Sequence, residues 1–134
     1  MGIAENKKIV EEFWSKFSIC DFDGAVAMMA KDGFTWWMAG DPTRFPLAGL
    51  RTKEEFRGLL GKILEVAPGG IQVKIIGMTA EDDRVAVEAE STSKTVSGKF
   101  YANKYHFLIT VRDGKVQSVK EYLDTMHTND VFCT

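Results

Sequence analysis

Residues 71–123 decide the fold, and they read IQVKIIGMTAEDDRVAVEAESTSKTVSGKFYANKYHFLITVRDGKVQSVKEYL. Apolar and polar side chains alternate along this stretch, which predicts four strands at residues 71–79, 85–93, 100–111 and 116–123. Glu81-Asp82-Asp83 and Arg112-Asp113-Gly114 mark the clearest turns. Such short turns join antiparallel neighbours, because a parallel crossover needs a dozen or more residues. The second half of the chain is therefore predicted to be an antiparallel meander.

The first half of the chain has the periodicity of helices. One apolar face recurs at helical spacing in residues 9–17, comprising Ile9, Val10, Phe13, Trp14 and Phe17. Asp21 is placed to cap a second helix that Gly33 ends. Residues 34–38 then form an aromatic-rich strand, and residues 41–49 an irregular loop or short strand. Thr52 and Glu55 have the spacing of a capping box for a third helix, which residues 68–70 stop. Helices followed by a meander predict an α+β fold with helices on one sheet face.

Composition excludes several classes of protein. The chain has 134 residues, within the range of one domain spanning residues 1–134. It carries 17 basic and 19 acidic residues, which argues against a nucleic-acid binder. No apolar run reaches the length of a membrane span, and residues 1–10 lack an apolar signal core. Cys20 and Cys133 form no pair motif, which predicts free thiols and a cytoplasmic protein. His106 and His127 are not at a metal-ligand spacing, so no metal is expected.

The register of the last hairpin determines which side chains meet. A two-residue turn at Asp113-Gly114 pairs Arg112 with Lys115 and sets His106 opposite Glu121. A three-residue loop with a bulge at Gly114 pairs Val111 with Lys115 instead. That alternative sets Tyr105 opposite Glu121 and Asn103 opposite Leu123. We favour the bulged turn, because it gathers the apolar residues of both strands, and Glu121 with them, on one buried face.

The order of elements resembles the nuclear transport factor 2-like superfamily, and within it the SnoaL-like and ketosteroid-isomerase-related branch. The residues that carry the resemblance are Glu90-Ser91, residues 101–107, residues 112–116 and residues 121–125. The resemblance implies a curved antiparallel sheet wrapped into a cone, a cystatin-like α+β barrel closed by three N-terminal helices. It also implies a pocket inside the cone and a homodimer formed through the outer sheet face.

The resemblance suggests several catalytic positions. Glu121 matches the single acid of SnoaL-type polyketide cyclases. Glu90 and Glu121 match the two acids of limonene epoxide hydrolases, whose arginine position is occupied here by Glu88. Asp41-Pro42 resembles the base of ketosteroid isomerases, whose first-helix tyrosine has no counterpart in this chain.

These positions predict an enzyme that works by proton transfer without a cofactor. Glu121 is the predicted acid/base, Glu90 its partner, and Tyr105 and Asn103 the groups that position a substrate oxygen. The substrate is expected to be a small, mainly apolar molecule with a carbonyl or epoxide group. Its predicted binding residues are Trp36, Trp37, Met38, Asp41, Phe107 and Leu123.

Simpler interpretations stand beside these assignments. Glu88 and Glu90 alternate with Val85, Val87 and Ala89, so both acids also fit a solvated strand face. Tyr105 also fits a core aromatic, and one of Trp36 and Trp37 should point inward and the other outward. Accordingly, the alternative to an enzyme is a non-catalytic module that binds a small molecule or dimerises.

Overall fold

The computed structural model describes residues 2–133 as four helices and one six-stranded sheet. The helices are α1 (Ile3–Ser18), α2 (Phe22–Ala27), α3 (Lys53–Val66) and α4 (Thr125–Phe132). The strands are β1 (Thr35–Met38), β2 (Gly49–Thr52), β3 (Gln72–Glu81), β4 (Arg84–Lys94), β5 (Phe100–Arg112) and β6 (Lys115–Leu123). Within the described part of the chain, no helix is long and apolar enough to cross a membrane. Cys20 and Cys133 are free.

The sheet is curved and unclosed, with the strand order β2-β1-β6-β5-β4-β3. β3 to β6 form the predicted antiparallel meander, and the α+β class is confirmed. β1 extends this meander by pairing parallel to β6, a connection that the sequence did not predict. The pairing sets Met38 beside Glu121 and Trp36 beside Val119. It therefore brings an N-terminal strand next to the last strand, where the candidate acid lies.

One face of the sheet is buried under the helices. Along β4 the buried side chains are Val85, Val87, Ala89, Ser91 and Ser93, and they alternate with residues that are mainly exposed. α1 packs on β3, β4 and β6, and α3 packs on β1 and β2. The apolar face of α1 is buried there through Val10, Phe13, Trp14 and Phe17. We call this side of the sheet the inner face and the opposite side the outer face.

The predicted helix caps are largely confirmed. Asp21 accepts a hydrogen bond from the Gly24 amide at the start of α2, and Thr52 and Glu55 form the capping box of α3. The predicted end of α2 at Gly33 is wrong, because the helix already ends at Ala27. The residues that follow α2 bond to β6 instead, through the Ala30 amide and the Met28 carbonyl, which both pair with Val116. This long-range pairing takes the backbone groups that a longer helix would have used.

The C-terminal helix α4 was not predicted. Asp124 caps it by accepting a hydrogen bond from the His127 amide. The helix packs on β5 and buries Thr128 and Val131. Since Thr128 and Phe132 line the space between the sheet and the N-terminal helices, α4 forms part of its wall.

Candidate active site

A cavity of about 90 Å³ lies between the inner face of the sheet and the helices. Its wall is mainly aromatic and aliphatic. Trp36 stacks on Phe56 with ring centroids 3.9 Å apart, and Trp14 lies 4.3 Å from Phe107. The polar residues that line the cavity are Glu121, Tyr101, Tyr105 and Thr128. Engineered cavities of about 150 Å³ hold benzene. The enclosed space therefore suits a ligand body smaller than a benzene ring.

Glu121 provides the only carboxyl group among the described residues that line this cavity. Its side chain is 7% exposed, and its Oε1 accepts a hydrogen bond of 2.9 Å from the indole Nε1 of Trp36. Its Oε2 accepts no hydrogen bond from residues 2–133. Burial raises the pKa of Glu121 to about 7, although the Trp36 hydrogen bond and the Arg51 charge both favour the ionised form. Near neutral pH this carboxyl group can therefore donate or accept a proton.

Glu121 lies on the inner face, but the register of the last hairpin is neither of the two predicted registers. The turn is the two-residue form, with Arg112 paired to Lys115, and both Asp113 and Gly114 have positive φ. Such a conformation matches a type I′ hairpin turn. The favoured three-residue turn is therefore wrong, as are the cross-strand partners derived from it.

A bulge in β6 returns Glu121 to the face of the sheet on which it was predicted to lie. Val111 pairs with Val116 and Thr110 with Ser118, so Gln117 is an extra residue in β6. The bulge shifts the following pairs by one residue and sets Phe107 opposite Glu121 and Tyr105 opposite Leu123. As a result, Glu121 shares the inner face with Tyr105 and Phe107, while His106 points to the outer face.

Four hydroxyl groups form a connected chain along the cavity wall, which we call the hydroxyl network. Ser91 Oγ lies 2.9 Å from the Tyr105 hydroxyl, which lies 2.7 Å from the Tyr101 hydroxyl. The Tyr101 hydroxyl lies 2.9 Å from Thr128 Oγ1, which in turn donates to the Asp124 carbonyl. Burial is the main cause of the raised pKa of both tyrosines. Both phenols therefore stay protonated at neutral pH and act as neutral hydrogen-bonding groups.

Asn103 belongs to this network rather than to the cavity wall. Its Nδ2 carries two N–H groups and lies within hydrogen-bonding distance of three acceptors, the Tyr101 hydroxyl, Thr128 Oγ1 and the Asp124 carbonyl. Its Oδ1 accepts hydrogen bonds from the amides of Lys104 and Asp124. All of its polar atoms are thus engaged at the junction of β5, β6 and α4. The prediction that Asn103 faces a substrate oxygen is wrong in this geometry, because the amide is occupied and lies behind the hydroxyl network.

Glu90 lies on the outer face and does not meet Glu121. It is exposed on β4, between Lys74 of β3 and Lys104 of β5. The adjacent residue Ser91 is the one that points inward. The prediction that Glu90 shares the cavity is wrong, since alternation along β4 gives the inner face to Val85, Val87, Ala89 and Ser91.

The predicted substrate-binding residues divide into two groups. Trp36, Met38 and Phe107 line the cavity. Trp37 points outward, where its ring contacts Tyr122, so the expected division between the two tryptophans holds. Leu123 is half-buried outside the cavity wall.

Asp41 is the remaining predicted binding residue, and it lies away from the cavity. It is exposed, and its Oδ1 accepts hydrogen bonds from the amide and hydroxyl of Thr43. These bonds lower the pKa of Asp41 below its usual value. Asp41 therefore stabilises its own loop, and the predictions that place Asp41, Trp37 and Leu123 in the cavity wall are wrong.

Four polar residues near the cavity were missed from the sequence, namely Ser91, Tyr101, Thr128 and Arg51. Tyr101 could have been found, since it lies four residues before Tyr105 on the same strand and so on the same face. Thr128 could not have been found, because it lies on α4, a helix that the sequence analysis did not predict. The ring of His127 stacks on that of Tyr101 with centroids 5.2 Å apart, and its Nε2 accepts a hydrogen bond from the Ala102 amide. Among residues 2–133, no group of three or more His, Cys, Asp or Glu side chains is arranged to hold a metal ion.

The chain belongs to a known family. Residues 10–119 match the model of the SnoaL-like domain, and this chain is therefore a member of the SnoaL-like family within the nuclear transport factor 2-like superfamily. No curated protein matches the chain.

Solved structures share this fold over nearly the whole length. An NTF2-like protein from Burkholderia xenovorans LB400 is 29% identical with a TM-score of 0.75, covering 98% of both chains. TerC, co-crystallised with polyporic acid, is 18% identical with a TM-score of 0.82, covering 97% of this chain and 99% of its own. An LEH-like epoxide hydrolase from M. tuberculosis is 19% identical with a TM-score of 0.76, covering 97% of this chain and 90% of its own. The similarities to TerC and to the LEH-like epoxide hydrolase show only a shared fold, since both identities are low and one fold can host unrelated functions.

Proposed function

We propose that this protein is a cofactor-independent enzyme that moves a proton to or from a carbon beside a carbonyl group. The observation that carries the proposal is the carboxyl group of Glu121, which lies buried in an apolar cavity with Oε2 unpartnered among the described residues. Trp36 holds Oε1 in place, so Oε2 is the atom that meets the substrate. Its substrate is a small, mainly apolar carbonyl compound, since the cavity wall offers mainly aromatic and aliphatic surface.

The raised pKa of Glu121 supports this role. With a pKa of about 7, the carboxylate that takes a proton and the acid that returns it are both populated near neutral pH. An isomerisation or a ring closure needs one group that removes a proton from one atom of the substrate and returns a proton to another atom.

The single carboxyl group favours carbonyl chemistry over hydrolysis of an epoxide. General acid/base opening of an epoxide by water asks one group to activate the water and another to protonate the leaving oxygen. Glu90 is on the outer face and cannot provide the second group. A single carboxyl that gives back the proton it has taken is sufficient for isomerisation.

A small ketone tests the proposal without knowledge of the natural substrate. In D₂O, an active-site base exchanges the protons beside the carbonyl of 2-butanone for deuterium, and ¹H NMR follows the loss of signal. We expect the protein to accelerate this exchange above the buffer rate, with a pH profile that reflects a group of pKa about 7. Glu121→Gln should return the rate to that of buffer, because the amide cannot take the proton.

Glu90→Gln is the matched control, since it makes the same change on the outer face and should retain the parent rate. Equal exchange by the parent and by Glu121→Gln would contradict the proposal. Saturable binding of 2-butanone with no exchange by the parent would instead favour the non-catalytic binding module.

A further inference from the structure

Arg51 lies on the inner face of the sheet beside the residues that hold the candidate acid. In the antiparallel pairing of β1 with β2, Arg51 is directly opposite Trp36. Directly opposite residues project from the same face of a sheet. Trp36 projects inward to Glu121, so Arg51 also projects inward, and its side chain is half-buried. The preceding residue, Leu50, is 65% exposed on the outer face, as alternation requires.

The guanidinium of Arg51 makes one hydrogen bond and no ion pair within residues 2–133. Its Nη1 donates to the Leu47 carbonyl oxygen at 2.6 Å, and Leu47 is itself part of the cavity wall. No described carboxylate lies within 4.0 Å of the guanidinium. A guanidinium has five N–H donors, so most of those of Arg51 have no partner within residues 2–133, while the one engaged donor binds the carbonyl of a residue in the cavity wall.

The charge of Arg51 acts on two carboxyl groups with which it forms no ion pair. Arg51 lowers the pKa of Glu55 at the start of α3, after the larger effect of the Thr52 hydrogen bonds. It also favours the ionised form of Glu121. The charge of Arg51 therefore acts on both the carboxyl group at the start of α3 and the cavity acid, without a direct ion pair to either within residues 2–133.

We propose that Arg51 is a specificity-determining residue that binds a carboxylate of the substrate at the edge of the cavity. The apolar remainder of the substrate then fills the cavity against Trp36 and Phe107, with its reacting carbon near Glu121. Arginine suits this role because its planar fork binds a carboxylate through two parallel hydrogen bonds. The inference deepens the proposed function by naming the substrate class, a small apolar carboxylic acid, and it rests on the small-molecule site at Glu121.

A carboxylate fits this position better than a phosphate. One guanidinium supplies a single positive charge, and its charge already acts on the carboxyl groups of Glu55 and Glu121. A dianion would be repelled by these carboxyl groups, whereas a monoanion is balanced by the guanidinium. The volume of about 90 Å³ further limits the enclosed part of the ligand to a few carbon atoms.

The test compares 3-methylbutanoate with 3-methylbutanamide, which have nearly the same shape and differ in charge. At pH 6 the acid is ionised while Glu121 is mostly protonated, so repulsion within the cavity is small. Binding is followed through the indole N–H resonance of Trp36 in ¹H–¹⁵N NMR spectra. We expect the acid to bind about tenfold more tightly than the amide, as a charge-assisted hydrogen bond provides.

Substitutions then assign that preference to one residue. Arg51→Met keeps the length of the side chain and should reduce the ratio of the two dissociation constants to about one. Arg51→Lys keeps the charge without the fork and should give an intermediate ratio. Arg44→Met, at an exposed arginine in the preceding loop, is the matched control and should retain the tenfold preference.

Equal affinities for the acid and the amide in the parent protein would overturn the inference, and so would a preference that survives Arg51→Met. Where Arg51→Met does not fold, Arg51→Lys decides, and a preference as large as that of the parent in this variant would overturn the inference. The outcome is separate from that of the proposed function. An Arg51-dependent preference stands even if Glu121→Gln exchanges 2-butanone protons at the parent rate. Equal affinities for the acid and the amide in the parent would leave the proposed function to its own test, because 2-butanone carries no carboxylate.

Discussion

The cavity has two polar regions, and they are built in opposite ways. In the hydroxyl network, formed by Ser91, Tyr105, Tyr101 and Thr128, every hydroxyl group has a protein partner. At Glu121, one oxygen is held by Trp36 and the other has no partner among the described residues. Both regions are buried against the same apolar space, so burial alone does not explain the difference.

Counting donors shows that the hydroxyl network is saturated. Because a carbonyl oxygen only accepts, Thr128 donates its proton to Asp124. In the rest of the hydroxyl network, Tyr101 then donates to Thr128, Tyr105 donates to Tyr101, and Ser91 donates to Tyr105. No hydroxyl proton is left for a ligand in this arrangement. The network therefore stabilises the fold around α4, whereas Glu121 is the group available for chemistry.

The largest effect that can test this comparison is expected from Asn103→Ala. The change removes an amide that holds Tyr101, Thr128 and the backbone of Asp124 together. Several buried groups lose a partner at once, at roughly 1–3 kcal/mol for each unsatisfied group. We expect the free energy of unfolding, measured in urea, to fall by about 4 kcal/mol.

Asn6→Ala is the matched control for this prediction. Asn6 is 3% exposed and Asn103 is 4% exposed, but the Asn6 Oδ1 has no hydrogen-bond partner within the described residues. The same truncation should therefore cost about 1 kcal/mol or less there, since no established network is broken. Equal losses at the two positions would show that the network contributes nothing beyond ordinary packing.

A second prediction concerns the dependence of stability on pH. Burial raises the pKa of Glu121 from its ordinary value of 4.5 to about 7 in the folded protein. Between these values the folded state binds more protons than the unfolded state, so stability falls as pH rises from about 4.5 to about 7. The shift corresponds to about 3 kcal/mol at ~1.4 kcal/mol per pKa unit.

Glu121→Gln should remove this dependence and make the protein more stable at pH 8, because no charge is then buried. Urea unfolding at several pH values measures the effect. Glu90→Gln changes an exposed acid and should follow the parent curve. A Glu121→Gln variant whose stability curve matches that of the parent would mean that Glu121 is not buried as a titrating group.

The sequence predicted the general arrangement well because local periodicity dominates it. Alternation placed Glu121, Tyr105 and Phe107 on one face, and the capping box located the start of α3. The exact cross-strand partners depended on a bulge at Gln117. Gln117 lies between Val116, which bonds to residues 28 and 30, and the part of β6 that pairs with β1. Such contacts join residues more than 80 positions apart and leave no local signal.

The errors at the candidate site have two causes. Glu90 was placed by resemblance to the family, although alternation along β4 correctly indicated the outer face. Asn103 was assigned to a ligand because its backbone position was known and its partners were not, since they belong to α4. Arg51 was missed for a similar reason, as its inward direction depends on the pairing of β2 with β1.

The smallest predicted effect concerns the hydrogen bond between Trp36 and Glu121. Trp36→Phe removes the indole donor and keeps a ring that can stack on Phe56, so the carboxylate loses the one hydrogen bond that it accepts from the described residues while the cavity wall remains packed. Because that bond stabilises the ionised form, the pKa of Glu121 should rise from about 7 by about one further unit. A titration of the carboxyl carbon by ¹³C NMR measures the change. Trp37→Phe, on the outer face, should leave the pKa of Glu121 where it is; an unchanged value in Trp36→Phe as well would show that the indole does not hold Oε1 and that neither carboxylate oxygen is fixed for proton transfer.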